Sequence, residues 1–276
     1  MNLSLDARAG LALALLAVLT VGLLLAWRWF ERDPGAVVQR VEAGWLRRFA
    51  AARFARGGYL GLHLTIGLLV SLAGLALFAS VTEDVVEHER LTQFDVTLLH
   101  WMQAHATPLG RAVFSWISDS GSFPAMAGLA LAGCVLLAAR RRWIVLTGWA
   151  AAFGGGGLLD GLLKLAIRRP RPPTLAGSLM HSWSFPSGHA MGSLVGYGML
   201  AYLLVTLWVH RRGAQVAILA AAAVLIVAIG ISRLYLGVHY FSDVVGGYAA
   251  GALWLSTCVS GLEVARRWKD VKRVRP

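Results

Sequence analysis

Apolar and polar residues fall along this chain in long blocks, not short periods. Apolar runs occupy roughly 11–27, 61–80, 123–139, 143–164, 189–209, 214–231 and 244–263, each close to the ~20 residues a helix needs to cross a hydrocarbon layer. In such a layer the backbone must satisfy its own hydrogen bonds, so the blocks predict an all-α, polytopic transmembrane helical bundle of about seven spans. Between the second and third runs, Leu91, Phe94, Leu98, Leu99 and Met102 recur at helical spacing, which predicts an amphipathic helix at the interface. The run 11–27 has no small-x-small cleavage pattern and ends in Trp27-Arg28-Trp29, so a retained helix is expected. A first helix lying along the surface, with six spans after it, would leave the rest of the arrangement unchanged.

Composition agrees. The chain is 57% hydrophobic and 14% charged, with a mean hydropathy of +0.63. Its net charge of +12 would suggest nucleic acid in a soluble protein, but the bases cluster in short segments between apolar runs. Arg28 to Arg56, Arg140 to Arg142, His210 to Arg212 and Arg266 to Arg275 share one side under sevenfold threading, which the positive-inside rule makes cytoplasmic. No nucleic-acid partner is expected; the surroundings of such a chain are membrane lipids. The basic segment 35–58 suits an anionic inner leaflet. The expected organisation is a membrane helix with a basic amphipathic segment over 1–60, a transmembrane domain over 61–263, and a basic tail over 264–276. The loop 81–122 then faces outward with Glu83, Asp84, Glu87, Glu89 and Asp95, read as a solvated acidic surface. Cys134 and Cys258 sit in apolar runs and read as packing residues.

Two loops on the predicted outer face carry strong bases where the side rule disfavours them: Lys164 to Pro172 and Ser232 to Asp243. Ionisable groups at such helix ends usually mark function. With Pro186-Ser187-Gly188-His189 they place Lys164, Arg168, Arg169, Arg171, Arg233, His189 and His239 on one face, a collar for an anion with several oxygens. Ser187 and the Gly188 amide add donors at a helix N-terminus. His239 and Asp243 stand four apart, so the carboxylate can hold one ring nitrogen and leave the other as nucleophile. His189 can protonate a leaving oxygen. Asp160, four before Lys164, is expected to support that lysine by ion pairing; Arg168 and Arg169 are expected to touch phosphate or headgroups. Gly154 to Gly157 lie mid-span without a following Lys-Ser/Thr, so they read as helix packing and not as a phosphate loop. Asp119 and Ser120 read equally as site edge or helix cap.

These motifs, K-x6-RP at Lys164 to Pro172, PSGH at Pro186 to His189 and SR-x5-H-x3-D at Ser232 to Asp243, match every fixed position of the type 2 phosphatidic acid phosphatase superfamily. The chain resembles that family over 123–263. The resemblance implies a six-helix core and an integral membrane lipid phosphatase acting through a phosphohistidine. His239 would be the nucleophile, Asp243 its orienting group and His189 the acid; Lys164, Arg171, Ser187, Gly188 and Arg233 would hold the phosphoryl oxygens. It implies no metal and no cofactor, with fixed cations supplying the charge a metal would bring. Substrates expected on this basis are undecaprenyl pyrophosphate, phosphatidylglycerol phosphate, phosphatidic acid and diacylglycerol pyrophosphate. Arginines outnumber lysines 23 to 3, as GC-rich bacterial genomes encode, and with an external site in the plasma membrane this favours the first. A phosphotransferase using the same intermediate, or a transporter that leaves phosphate intact, are the alternatives.

Overall fold

The structure is a computed structural model and describes residues 59–87, 90–174, 176 and 182–274. The first expected span and the basic segment 35–58 lie outside the described residues. The chain divides into two compact units, 1–63 and 64–276, and apart from the first residues of α1 every element below lies in the second. Among the described residues every regular element is helical. They are α1 (Tyr59–Glu87), α2 (Arg90–Ala104), α3 (Pro108–Asp119), α4 (Phe123–Ala139), α5 (Trp143–Ala150), a π-helical turn (Ala151–Gly155), α6 (Gly156–Ile167), α7 (Gly188–Leu207), α8 (Arg212–Tyr235) and α9 (Phe241–Val274).

Six stretches are long and apolar enough to span: His63–Glu87, Pro108–Ala139, Trp143–Ile167, Gly188–Leu207, Arg212–Tyr235 and Phe241–Arg266. They coincide with the last six expected runs. One boundary moves. The run expected over 123–139 begins at Pro108, because α3 stacks end to end on α4 across a turn closed by Ser120 and Ser122. Ser122 accepts from the Ala125 amide and starts α4; Ser120 caps α3, so its role is that of a cap. The loop expected over 81–122 is therefore shorter. The last helix also continues to Val274, through most of the expected tail.

Helix ends follow from local chemistry. Pro170, Pro172 and Pro173 bar α6 from continuing, and Arg168 closes it in the left-handed region at φ 51°. The π turn makes room for a neighbour: Trp254 packs against Gly155, and its indole donates to the Ala152 carbonyl at 3.0 Å. Leu137, Val145, Trp149, Val195, Met199, Leu203 and Leu262 form the main core. α7 lies at the centre, packed against both α8 and α9. Gly247 of α9 lets the backbones approach, since a methyl there would stand 2.7 Å from the Ser187 carbonyl oxygen. Alternating spans bring the C-termini of α6 and α8 and the N-termini of α7 and α9 to one end of the bundle, with α2 packed there against α8 and α9.

Candidate active site

Lys164 lies in the last turn of α6 and Arg171 in the proline-rich segment after it. Ser187 precedes α7, which opens with Gly188 and His189; Arg233 lies in the last turn of α8 and Asp243 in the first turn of α9. His239 occupies the short α8–α9 loop. Asp160, Lys164, Arg171, Gly188, His189, Arg233 and His239 all line one cavity of about 670 Å³. Away from these groups the cavity becomes apolar, bounded by Phe123, Met126, Ala130 and Leu131 of α4, by Phe153, Gly154 and Gly157 of the neighbouring span, and by Val195. Four separate stretches of chain thus converge on one polar chamber with an apolar extension.

The histidine and aspartate form the expected pair. His239 Nδ1 is 3.3 Å from Asp243 Oδ2, and both residues are buried. Arg171 Nη1 donates to His239 Nε2 at 3.0 Å. A guanidinium only donates, so Nε2 holds the lone pair and Nδ1 the proton. Burial drives the His239 imidazole down from its ordinary 6.5 to about 4, against the pull of Asp243. The ring is neutral at physiological pH, with Nε2 unprotonated and the residue lining the cavity. Arg171 also donates to the carbonyls of Ser182 and Val238, which ties the proline segment to the loop carrying His239. Burial lowers the Arg171 guanidinium, with Asp243 and Asp160 opposing.

Lys164 and Asp160 form an ion pair at 2.5 Å, one helical turn apart. Gly188 sits against that pair: a methyl on it would stand 2.9 Å from Lys164 Nζ and 3.0 Å from Asp160 Oδ2. Among the described residues, Ser187 Oγ, Arg233 Nε and Asp160 Oδ1 are buried polar atoms with no partner. The first two are donors suited to an oxyanion, and both belong to residues expected to hold phosphate. Arg233 Nη1 is held by the Ser118 hydroxyl of α3, a contact with no signal in the sequence.

Two expectations change. Arg168 does not reach the cavity; it is exposed and its Nε turns back to the Leu165 carbonyl, because the left-handed cap points it outward. Arg169 does not meet solvent or headgroups. It is buried, donates to Asp243 Oδ1 at 2.6 Å and to Asp95 Oδ2 at 2.8 Å, and lies 4.3 Å over the Tyr240 ring. Asp95, expected in a solvated acidic surface, is 1% exposed. It also accepts from the Ser242 amide at 2.9 Å and from the Ser242 hydroxyl. Burial pushes the Asp95 carboxyl up, while the bonds from Arg169 and Ser242 pull it back. For Arg169, burial works downward, but Asp243 and Asp95 outweigh it and the net shift is upward. The missed signal lies in α2: Asp95 falls four after Leu91 and three before Leu98, on the apolar stripe, and a carboxylate there needs a buried partner. Ser184 was also missed; its hydroxyl donates to Asp243 Oδ2.

The fold and the site define a polytopic helical membrane protein with a cationic, histidine-bearing pocket at one end of its bundle. Residues 143–267 match the family model described as the PAP2 superfamily. The chain also matches the crystal structure of a transmembrane PAP2-type phosphatidylglycerolphosphate phosphatase from Bacillus subtilis at a TM-score of 0.59 and 30% identity, over 76% of this chain and 98% of that one. The chain belongs to the PAP2 superfamily. It is 40% identical over 129 residues to phosphatidylglycerophosphatase B of Bacillus subtilis (strain 168), 45% of this chain and 58% of that protein. It is 39% identical over 110 residues to a lipid A 1-phosphatase of Rhizobium johnstonii, 36% of this chain and 40% of that protein. The chain thus spans about half the length of the curated relatives it matches.

Proposed function

We propose that this protein is an integral membrane lipid phosphatase that hydrolyses a phosphomonoester or terminal pyrophosphate through a phosphohistidine on His239. The observation that carries this reading is the shape of one cavity: Lys164, Arg171, His189, Arg233 and His239 at its polar head, an apolar slot leading away between helices. A phosphate fits the head and an acyl or prenyl tail fits the slot.

The lone pair of His239 Nε2 attacks phosphorus, and the bond to the leaving oxygen breaks. His189 gives that oxygen its proton. His239 keeps the proton on Nδ1, so the phosphorylated ring is cationic and faces Asp243. In the free site Arg171 Nη1 donates to the attacking nitrogen itself. Phosphoryl oxygens arriving there take over that donor and free the lone pair as the substrate docks. Lys164, Arg233, Ser187 Oγ and the Gly188 amide hold the remaining oxygens and the charge that builds on them. Water then attacks phosphorus with His189 as base, the P–N bond breaks, and phosphate leaves. Residues of this chain supply the whole charge balance.

Both matched relatives named above remove phosphate from a lipid, which supports that substrate class. Phosphatidylglycerol phosphate heads the candidates, ahead of undecaprenyl pyrophosphate. Arg140 to Arg142 and Arg211 to Arg212 lie at the bundle end opposite the pocket, and the positive-inside rule supports a site on the outer face of the plasma membrane. The decisive experiment is phosphate release by the purified protein from a panel of these lipids. His239→Ala abolishes turnover and the acid-labile phosphoenzyme. Release at the wild-type rate in that variant overturns the nucleophile, transfer of label to an added alcohol in place of water identifies a phosphotransferase, and uptake of intact substrate without release identifies a transporter.

A further inference from the structure

Behind His239 lies a buried cluster that the reaction above uses only in part. Asp243 offers Oδ2 to His239 Nδ1, to the Tyr240 amide at 2.9 Å and to the Ser184 hydroxyl, and Oδ1 to Arg169 at 2.6 Å. Arg169 is 9% exposed, Asp243 0% and His239 2%. A fully buried guanidinium bound to one carboxylate would cancel it. Arg169 and Asp243 alone carry no net charge, and a neutral pair gives little to a ring that turns cationic when phosphorylated. The cluster does not stop there. Arg169 Nη2 reaches Asp95 Oδ2 at 2.8 Å, and Asp95 Oδ1 receives the Ser242 amide at 2.9 Å. With Asp95 included, two carboxylates face one guanidinium and one negative charge is left over.

We propose that Asp95 is a positioning residue for the phosphoryl-transfer step: it neutralises Arg169 so that Asp243 keeps a full negative charge for the imidazolium that forms on His239. It does so from α2, a helix outside the six candidate spans, and by accepting the Ser242 amide it also satisfies a free N–H in the buried first turn of α9 from a different helix. When the Nε2–P bond forms and the bond to the leaving oxygen breaks, its electron pair and the proton from His189 go to that oxygen. Nδ1 keeps its proton, and the positive charge left on the ring meets the uncancelled carboxylate. Asp95 touches no reacting atom; Arg169 and Ser242 stand between.

This inference rests on the phosphohistidine reading, and the test separates the two. Asp95→Asn, Arg169→Gln and the double variant Asp95→Asn/Arg169→Gln are assayed for phosphate release from phosphatidic acid in detergent micelles. Asp95→Asn lowers kcat roughly 10- to 100-fold and leaves KM within about twofold. Arg169→Gln also loses activity, while the double variant, which restores the one-carboxylate balance at His239, turns over faster than Asp95→Asn. A purely structural role predicts losses that multiply; multiplied losses, or an Asp95→Asn enzyme with wild-type kcat, overturn the proposal. If Asp95→Asn alone does not fold, the double variant decides: recovery of fold and turnover supports charge balance, and failure of both overturns it. The ring ¹⁵N shifts of His239, assigned by their loss in His239→Ala, read the same balance without turnover. They keep the proton on Nδ1 in the wild type, move part of it to Nε2 in Asp95→Asn, and return in the double variant. Those shifts stand even if the chain releases no phosphate, in which case the phosphatase reading falls and this one is judged on the shifts.

Discussion

At the scale of single residues, the site is defined by which atoms are left able to act. His239 is fixed as a neutral base by burial and by two partners of opposite kind, Asp243 on Nδ1 and Arg171 on Nε2. On the proposed mechanism only the unprotonated ring attacks phosphorus. With its pKa held at about 4 and not its ordinary 6.5, protonation of His239 removes activity only as pH falls through about 4. A kcat/KM profile measured from pH 4 to 8 in a substrate whose own ionisation is known checks this; an acid limb near 6.5 that shifts in Asp243→Asn would place the nucleophile in a different environment. Gly188 gives a second test. A methyl there meets the ends of the Lys164 and Asp160 side chains and no backbone, so Gly188→Ala moves the pair and spares the fold. It raises KM about 3- to 10-fold with an unchanged melting temperature. Lys164, Arg171, Gly188, His189, Arg233 and His239 were legible because each belongs to a spaced motif at a helix end. Asp95 and Ser184 were not, because their partners are 74 and 59 residues away in the chain. Arg168 and Arg169 are adjacent and identical in type, and only the left-handed turn between helix and prolines sends one outward and the other into the core.

At the scale of helices, the bundle is organised around α7. Its first turn carries Gly188 and His189, and it packs on α8 and α9, which carry Arg233 and Asp243. The Ser187 amide donates to the Asp243 carbonyl at 2.9 Å, so the start of α7 and the start of α9 are bonded directly. Gly247 sets that crossing. Because a methyl at 247 would press on backbone that cannot turn aside, Gly247→Ala separates the two helices, costs about 1–3 kcal/mol of stability and lowers kcat together with it. Thermal unfolding in detergent, paired with the phosphate-release assay, checks both; a variant with wild-type stability and turnover would show that the crossing tolerates more space. Span existence and order could be read from apolar runs, since membrane burial demands length and composition alone. The stacking of α3 on α4 could not, because Arg111, Ser115, Ser118 and Asp119 break the apolar run ahead of the turn that joins the two helices.

At the scale of the whole molecule, the cavity joins a polar head to an apolar slot, and on the proposed function its dimensions decide which lipids enter. Gly157 lines the slot, and a side chain added there meets nothing within 4 Å. A Cβ at this position meets open space, so Gly157→Phe directs a ring toward the slot from a position without close neighbours. It raises KM for long-chain lipid phosphates roughly 10-fold or more and leaves a short, water-soluble phosphate ester unaffected. Equal loss on both substrates would mean the tail runs elsewhere.

The sequence alone determined the membrane class, the order of six spans and the three motif loops, because bilayer thickness and helical alternation constrain them without any tertiary contact. Helix alternation even placed those loops at one end. Only the folded chain decided which charges face the cavity and which face each other. A guanidinium buried among carboxylates and one that lines the cavity are the same letter in the sequence; a single backbone turn and a carboxylate from a distant helix make the difference between Arg169 and Arg171.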